Sequence, residues 1–180
     1  MSLFILLTCL AKVTSTFSEG LRLLLKDVVN YCKTLDHYQF KKRLWQDTCD
    51  QAIKNNLKIL QSLYDKYTNP VKVLKGVRYL TLTGFQNFVD DTGLIDKCIT
   101  ERDPAILFSL SMMTQVNELD SDRHLQMSFV EFIEAFARLA DKLELENQSD
   151  KLHLKILELI KISATHCLDI TYEVKAPVEE

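Results

Sequence analysis

An all-α fold is predicted by three features of this chain. Its 180 residues include only four glycines and three prolines, too few breakers for a multi-stranded β fold with its frequent turns. Apolar residues recur at three- and four-residue spacing through most of the length. Residues suited to helix caps stand where those stripes begin and end.

Hydrophobic residues make up 47% and charged residues 26%. That balance suits a globular protein able to bury a continuous core and argues against wholesale disorder. The formal net charge is −3, without the basic face of a nucleic-acid binder, so no nucleic-acid partner is expected.

Taken in order, residues 1–11 read MSLFILLTCLA. This apolar run is too short to span a bilayer, which takes roughly 20 residues. No basic residue precedes it as in a signal peptide. A buried or amphipathic first helix is expected, and no transmembrane segment. Ser18, Glu19 and Gly20 interrupt it, and Leu21, Leu24, Leu25, Val28, Val29, Cys32 and Leu35 mark a second helix.

The spacing then predicts a long helix over 38–67, with a break near 48–50. Its stripe is Phe40, Leu44, Trp45, Ile53, Leu57, Leu60, Leu63 and Tyr64. Asn69 and Pro70 stop it, because proline lacks an N–H and disfavours helix in the residue before it. Residues 79–83, YLTLT, form a short run rich in β-branched side chains. Thr83 is the expected cap of a helix carrying Phe85, Phe88 and Val89, closed by Gly93. Asp103 at the cap and Pro104 at the first helical position open another. Its face is Ile106, Leu107, Leu110, Met113 and Val116, with the Met112–Met113 pair filling core.

Residues 129–143 are expected to be helical, with Phe129, Phe132, Ile133, Phe136 and Leu139 on one side. A polar linker follows, and Ser149 or Asp150 caps a last helix carrying Leu152, Ile156, Leu157, Leu159 and Ile160. The tail from Thr171 is expected to fray.

Lys41, Lys42 and Arg43, followed by Trp45, form the one basic cluster. It reads as a solvated helix surface, with a docking patch for an acidic partner, tubulin tails included, as the other reading. Five scattered cysteines without a CxxC pair point to free thiols and away from zinc. No P-loop, GxGxxG, GxSxG or HExxH motif occurs. An enzyme is therefore not expected; one assembled from dispersed residues such as Cys98 or His166 is the exception to test.

Residues 120–131 read DSDRHLQMSFVE. A twelve-residue calcium loop places oxygen donors at its first, third, fifth, seventh and ninth positions and a bidentate carboxylate at its twelfth. Here Asp120 and Asp122 stand first and third, Ser128 ninth and Glu131 twelfth. Gln126 would offer its carbonyl at the seventh. Met127 at the eighth suits a short strand pairing two such loops. Apolar residues at helical spacing flank the loop on both sides. On these residues the chain resembles the EF-hand superfamily, a calmodulin-like pair over residues 63–145.

The departures are specific. Leu125 stands where the sharp turn takes glycine, and His124 is a poor ligand for a hard cation. In the earlier hand Leu80 corresponds to Met127 and Gly84 to Glu131, and residues 73–79 contain no acidic residue. That loop is expected to be metal-free. Residues 79–81 and 126–128 are expected to pair as a short antiparallel ladder.

The resemblance implies an EF-hand-like helical pair with additional N- and C-terminal helices, residues 1–62 before it and 146–180 after it. The phrasing of the module resembles degenerate EF-hand segments of protist ciliary and flagellar axonemal proteins. This implies a non-enzymatic structural or adaptor subunit bound to other protein subunits, tubulin or axonemal proteins among them. Its setting would be cytoplasmic or cytoskeletal, in a cilium. No cofactor is expected. The alternative is a calcium sensor or buffer using Asp120, Asp122, Gln126, Ser128 and Glu131.

Overall fold

The computed structural model describes residues 22, 37–68, 78–95, 97–112, 125–145 and 150–177. The chain divides into two compact units, residues 1–41 and 42–180. The two expected N-terminal helices fall outside the described residues, as do Met113, Val116, Asp120, Asp122, His124 and Ser149.

The described residues form seven helices: α1 His37–Leu44, α2 Asp47–Asn55, α3 Leu57–Tyr67, α4 Leu82–Asp91, α5 Asp103–Ser111, α6 Phe129–Asp141 and α7 Leu152–Leu168. No strand is present among them, only isolated bridges, so the all-α expectation holds. α1 runs across the boundary between the two units, and the rest belongs to the second.

The expected long helix over 38–67 is three helices. It breaks at Trp45–Gln46 and at Asn56, not near 48–50. The first break turns Trp45 off the apolar stripe and leaves it 76% exposed. Arg43, from the basic cluster, makes a bidentate pair with Asp141 of α6, Nη1 to Oδ1 at 2.9 Å and Nη2 to Oδ2 at 2.5 Å. At the second break the Asn56 N–H still reaches the Ile53 carbonyl, while its own carbonyl accepts from Ile59 and Leu60. One residue thus ends α2 and starts α3.

The starts of α4 and α6 face each other. Just ahead of them, Leu80 and Met127 pair in antiparallel fashion, each N–H donating to the other's carbonyl at 2.9 and 2.8 Å. The expected ladder is therefore a single bridge in the expected register. A capped helix starts directly after each partner. Thr81, not Thr83, caps α4, its Oγ1 accepting from the Gly84 N–H at 3.2 Å, because the bridge ends one residue earlier. Ser128 caps α6 in a reciprocal capping box with Glu131.

α5 opens with Asp103 as its first helical residue, one place later than a cap. Its Oδ2 accepts from the Thr100 N–H and hydroxyl at 2.8 and 2.7 Å. Ile106, expected in the core, is 45% exposed, while Leu107 and Phe108 are buried. Gly93, at φ 67, closes α4 as expected, in the left-handed region that glycine adopts without a Cβ penalty.

α6 is buried nearly all round. Beyond the expected apolar side, Glu134 and Arg138 are also buried and pair one turn apart, Oε1 accepting from Nη2 at 2.7 Å and Nε at 3.2 Å. α3, α5 and α7 all pack against this helix.

α7 packs on α2, α3, α4 and α6. Leu152, Ile156, Leu157, Leu159 and Ile160 are all buried, as the sequence predicts. The helix starts at Leu152 with no side-chain cap, so Asp150 does not fill that role. It ends at Asp169 in the left-handed conformation, φ 54, with the Ile170 N–H closing back on the Ala164 carbonyl at 3.1 Å. Ser163 is fully buried and its Oγ has no hydrogen-bond partner. A buried hydroxyl left unpaired costs about 1–3 kcal/mol. Replacement by alanine is expected to raise the unfolding free energy by about 1 kcal/mol, read as a higher urea midpoint at unchanged slope.

Candidate functional site

The bridge and the two helix starts beside it form the candidate site. Tyr64 reaches it from α3. Its hydroxyl lies 3.0 Å from the carbonyl oxygens of both Arg78 and Met127, one on each side of the bridge. Its ring meets Phe129 and Phe132 at centroid distances of 5.4 and 5.6 Å. Burial, above all, pushes the Tyr64 pKa up to about 12, so the hydroxyl stays a donor throughout the physiological range. One side chain therefore ties α3 to the backbone ahead of α4 and of α6.

The starts of α4 and α6 differ four residues past the paired positions. On α6 that residue is Glu131, buried, with Oε2 accepting from the Ser128 N–H and hydroxyl at 2.8 and 2.7 Å. A carboxylate in the first turn is also favoured by the helix dipole. On α4 it is Gly84. A Cβ built there would stand 2.6 Å from the Tyr67 carbonyl oxygen and 2.8 Å from Leu80 Cδ1. The end of α3 occupies the space a side chain would need.

Of the residues proposed from the sequence, Ser128 and Glu131 are brought together, with Gln126 half-buried just ahead of them. Asp120 and Asp122 lie outside the described residues. In this arrangement Glu131 caps the start of α6. Among the described residues, no three of His, Cys, Asp and Glu converge as a metal site would need.

Behind the bridge lies an aromatic cluster from α3, α4 and α6. Phe88 is at its centre, with Tyr67, Phe85, Phe132 and Phe136 at centroid distances of 5.5, 6.1, 5.6 and 6.0 Å. At its edge the Tyr67 hydroxyl donates to Asp91 Oδ2, and Lys66 Nζ donates to the Cys167 carbonyl. These contacts fasten α3 to α4 and α7.

Three thiols, Cys49, Cys98 and Cys167, fall among the described residues. Burial pushes the pKa of all three upward, which disfavours the thiolate form. For Cys98 the nearby Glu144 adds to the effect. His166 is exposed at the far end of α7. A shallow open hollow beside Cys98 is lined by the consecutive residues 97–102 of the α4–α5 loop.

Sequence reasoning did not single out Tyr64 as a clamp or Asn56 as a junction. Tyr64 carried a core-stripe signal, and its hydroxyl distinguished it from the leucines around it. Asn56 gave only a polar pair with Asn55. No family model, curated protein or solved structure matches the chain. No described helix is long and apolar enough to cross a membrane.

Proposed function

We propose that this chain is a non-enzymatic structural or adaptor subunit of a larger protein assembly, built on a degenerate EF-hand-like pair. The hands are α3 with α4, and α5 with α6, joined at Leu80 and Met127. The observation that carries the reading is the seat of α7. It packs across α3, α4 and α6, with Ile156, Leu159, Ile160 and Ala164 fully buried. Calcium sensors of this superfamily work by opening an apolar groove to receive a target helix. Here a helix of the same chain lies against both exiting helices, so the pair serves as a fixed block.

The crowded start of α4 supports the same reading, since Gly84 has no space for a ligand side chain. The raised pKa values of the three described thiols support a role without catalysis. The resemblance to axonemal EF-hand segments favours a ciliary assembly, with tubulin or other axonemal subunits as partners.

The second reading, a calcium sensor or buffer, draws on Gln126, Ser128 and Glu131 standing at the required spacing across the start of α6. Calorimetric titration of the full chain with calcium separates the two. No saturable heat is expected. Glu131→Gln preserves the capping box, because Gln serves at that position too, and so tests the ligand without removing the cap. Micromolar affinity that this substitution abolishes would establish the sensor reading instead.

A further inference from the structure

The tail does not fray where the described residues reach. Residues 171–177 cross the α2–α3 junction outside any helix or strand, and Asn56 holds them. Asn56 is fully buried, and all four hydrogen-bonding positions of its side chain are used. Nδ2 donates to the Ala52 carbonyl at 2.8 Å and the Lys175 carbonyl at 3.0 Å. Oδ1 accepts from the Lys175 N–H at 3.0 Å and the Tyr172 hydroxyl at 3.1 Å. Asn55 Nδ2 adds a bond to the Ala176 carbonyl at 3.3 Å.

One amide that exchanges both bonds with the N–H and C=O of a single residue reproduces the closed pair of an antiparallel ladder. It therefore recognises peptide backbone, as in strand addition. Apart from the Tyr172 hydroxyl, the tail's own side chains add little. Thr171, Glu173, Lys175 and Ala176 are exposed, and Tyr172, Val174 and Pro177 are half-buried. The tail leaves α7 through one left-handed residue, Asp169, so rotation there frees it. Without the tail, Asn56 keeps one of its four side-chain bonds, and a buried amide so exposed calls for a replacement.

We propose that the α2–α3 junction is a recognition site for an extended peptide, filled in cis by this chain's own tail, and that its occupant in trans is the same tail from a second copy. Nothing in the bonds distinguishes the two sources. The required ligand is an extended segment with a tyrosine hydroxyl three residues ahead of a residue whose backbone is unpaired. Exchange of tails links copies without reshaping the helical core.

The test uses the full chain and a fluorescein-labelled peptide of residues 169–180, followed by fluorescence anisotropy. Lys175→Pro in the chain removes the N–H that Asn56 accepts and loosens the cis tail. Saturable binding to that variant is expected. Binding to the unaltered chain should be roughly tenfold or more weaker, because the tethered tail competes at millimolar effective concentration. Adding Asn56→Asp removes the Nδ2 donor and should abolish binding. Where that double variant loses its helical circular dichroism, the peptide carrying the same Lys175→Pro change supplies the control and should fail to bind the loosened chain. No binding to the loosened chain overturns the proposal. So does binding that neither Asn56 nor the peptide's Lys175 N–H affects.

Discussion

Truncation of Phe88 to alanine is expected to cost about 4 kcal/mol of stability, the range observed for large buried aromatics. The side chain is fully buried and touches rings from three helices. Removing it forfeits the transfer energy of the ring and opens a cavity that flanking helices cannot collapse into, since each is tied elsewhere. Tyr67 is bound to Asp91, Tyr64 to the bridge, and α6 to α7. The edge-to-face contacts with Tyr67 and Phe132, at interplanar angles of 68° and 72°, contribute a further fraction, typically about 0.5–1.5 kcal/mol per pair. Phe88→Leu keeps most of the volume and should cost about 1.5 kcal/mol. Urea unfolding at unchanged slope is the readout.

Gly84→Ala is expected to cost about 3 kcal/mol, toward the upper end for an overpacked site. The reason is the identity of the obstacle. A new methyl group 2.6 Å from the Tyr67 carbonyl oxygen meets backbone, which cannot rotate aside as a side-chain tip would. Relief requires α3 and α4 to separate, and that pulls the Tyr67 ring from Phe88. For a chain of this size the midpoint of thermal unfolding should fall by roughly 6–12 °C. Alanine favours helix over glycine by about 1 kcal/mol where nothing intervenes, so a neutral or stabilising result would refute the close approach.

The parts of this fold set by local rules can be read from the residues. α6 and α7 follow apolar stripes: α6 starts at the expected Phe129 and ends two residues short of the expected 143, and the expected face of α7 is buried. The register of the bridge is legible because Phe85, Phe88 and Val89 repeat the spacing of Phe132, Ala135 and Phe136, which aligns Leu80 with Met127. What cannot be read depends on partners distant in sequence. Glu134 and Arg138 have the spacing of an ordinary surface pair, and only packing from outside the helix buries them. Asn56 lies in a stretch that reads as continuous helix, and its role is set by Lys175, 119 residues away. The tail carries no apolar stripe and so reads as frayed, and the bonds that hold it are made by its backbone and the Tyr172 hydroxyl. Trp45 follows the stripe of α1 until the chain breaks beneath it. Thr83 reads as the cap of α4, and the bridge at Leu80 moves that role to Thr81. The candidate site divides in the same way: Ser128 and Glu131 are legible as neighbours, whereas the Tyr67 carbonyl against Gly84 leaves no trace in composition or pattern.

The central proposal is that the α4–α6 pair is a fixed block closed by the chain's own α7. Amide hydrogen exchange along α7 in the full chain, with and without calcium, tests it most directly. The same slow exchange in both conditions, lost only with global unfolding, is the predicted result. Selective acceleration across residues 152–168 on adding calcium, while α2 and α3 stay protected, would show α7 leaving the pair and contradict the account.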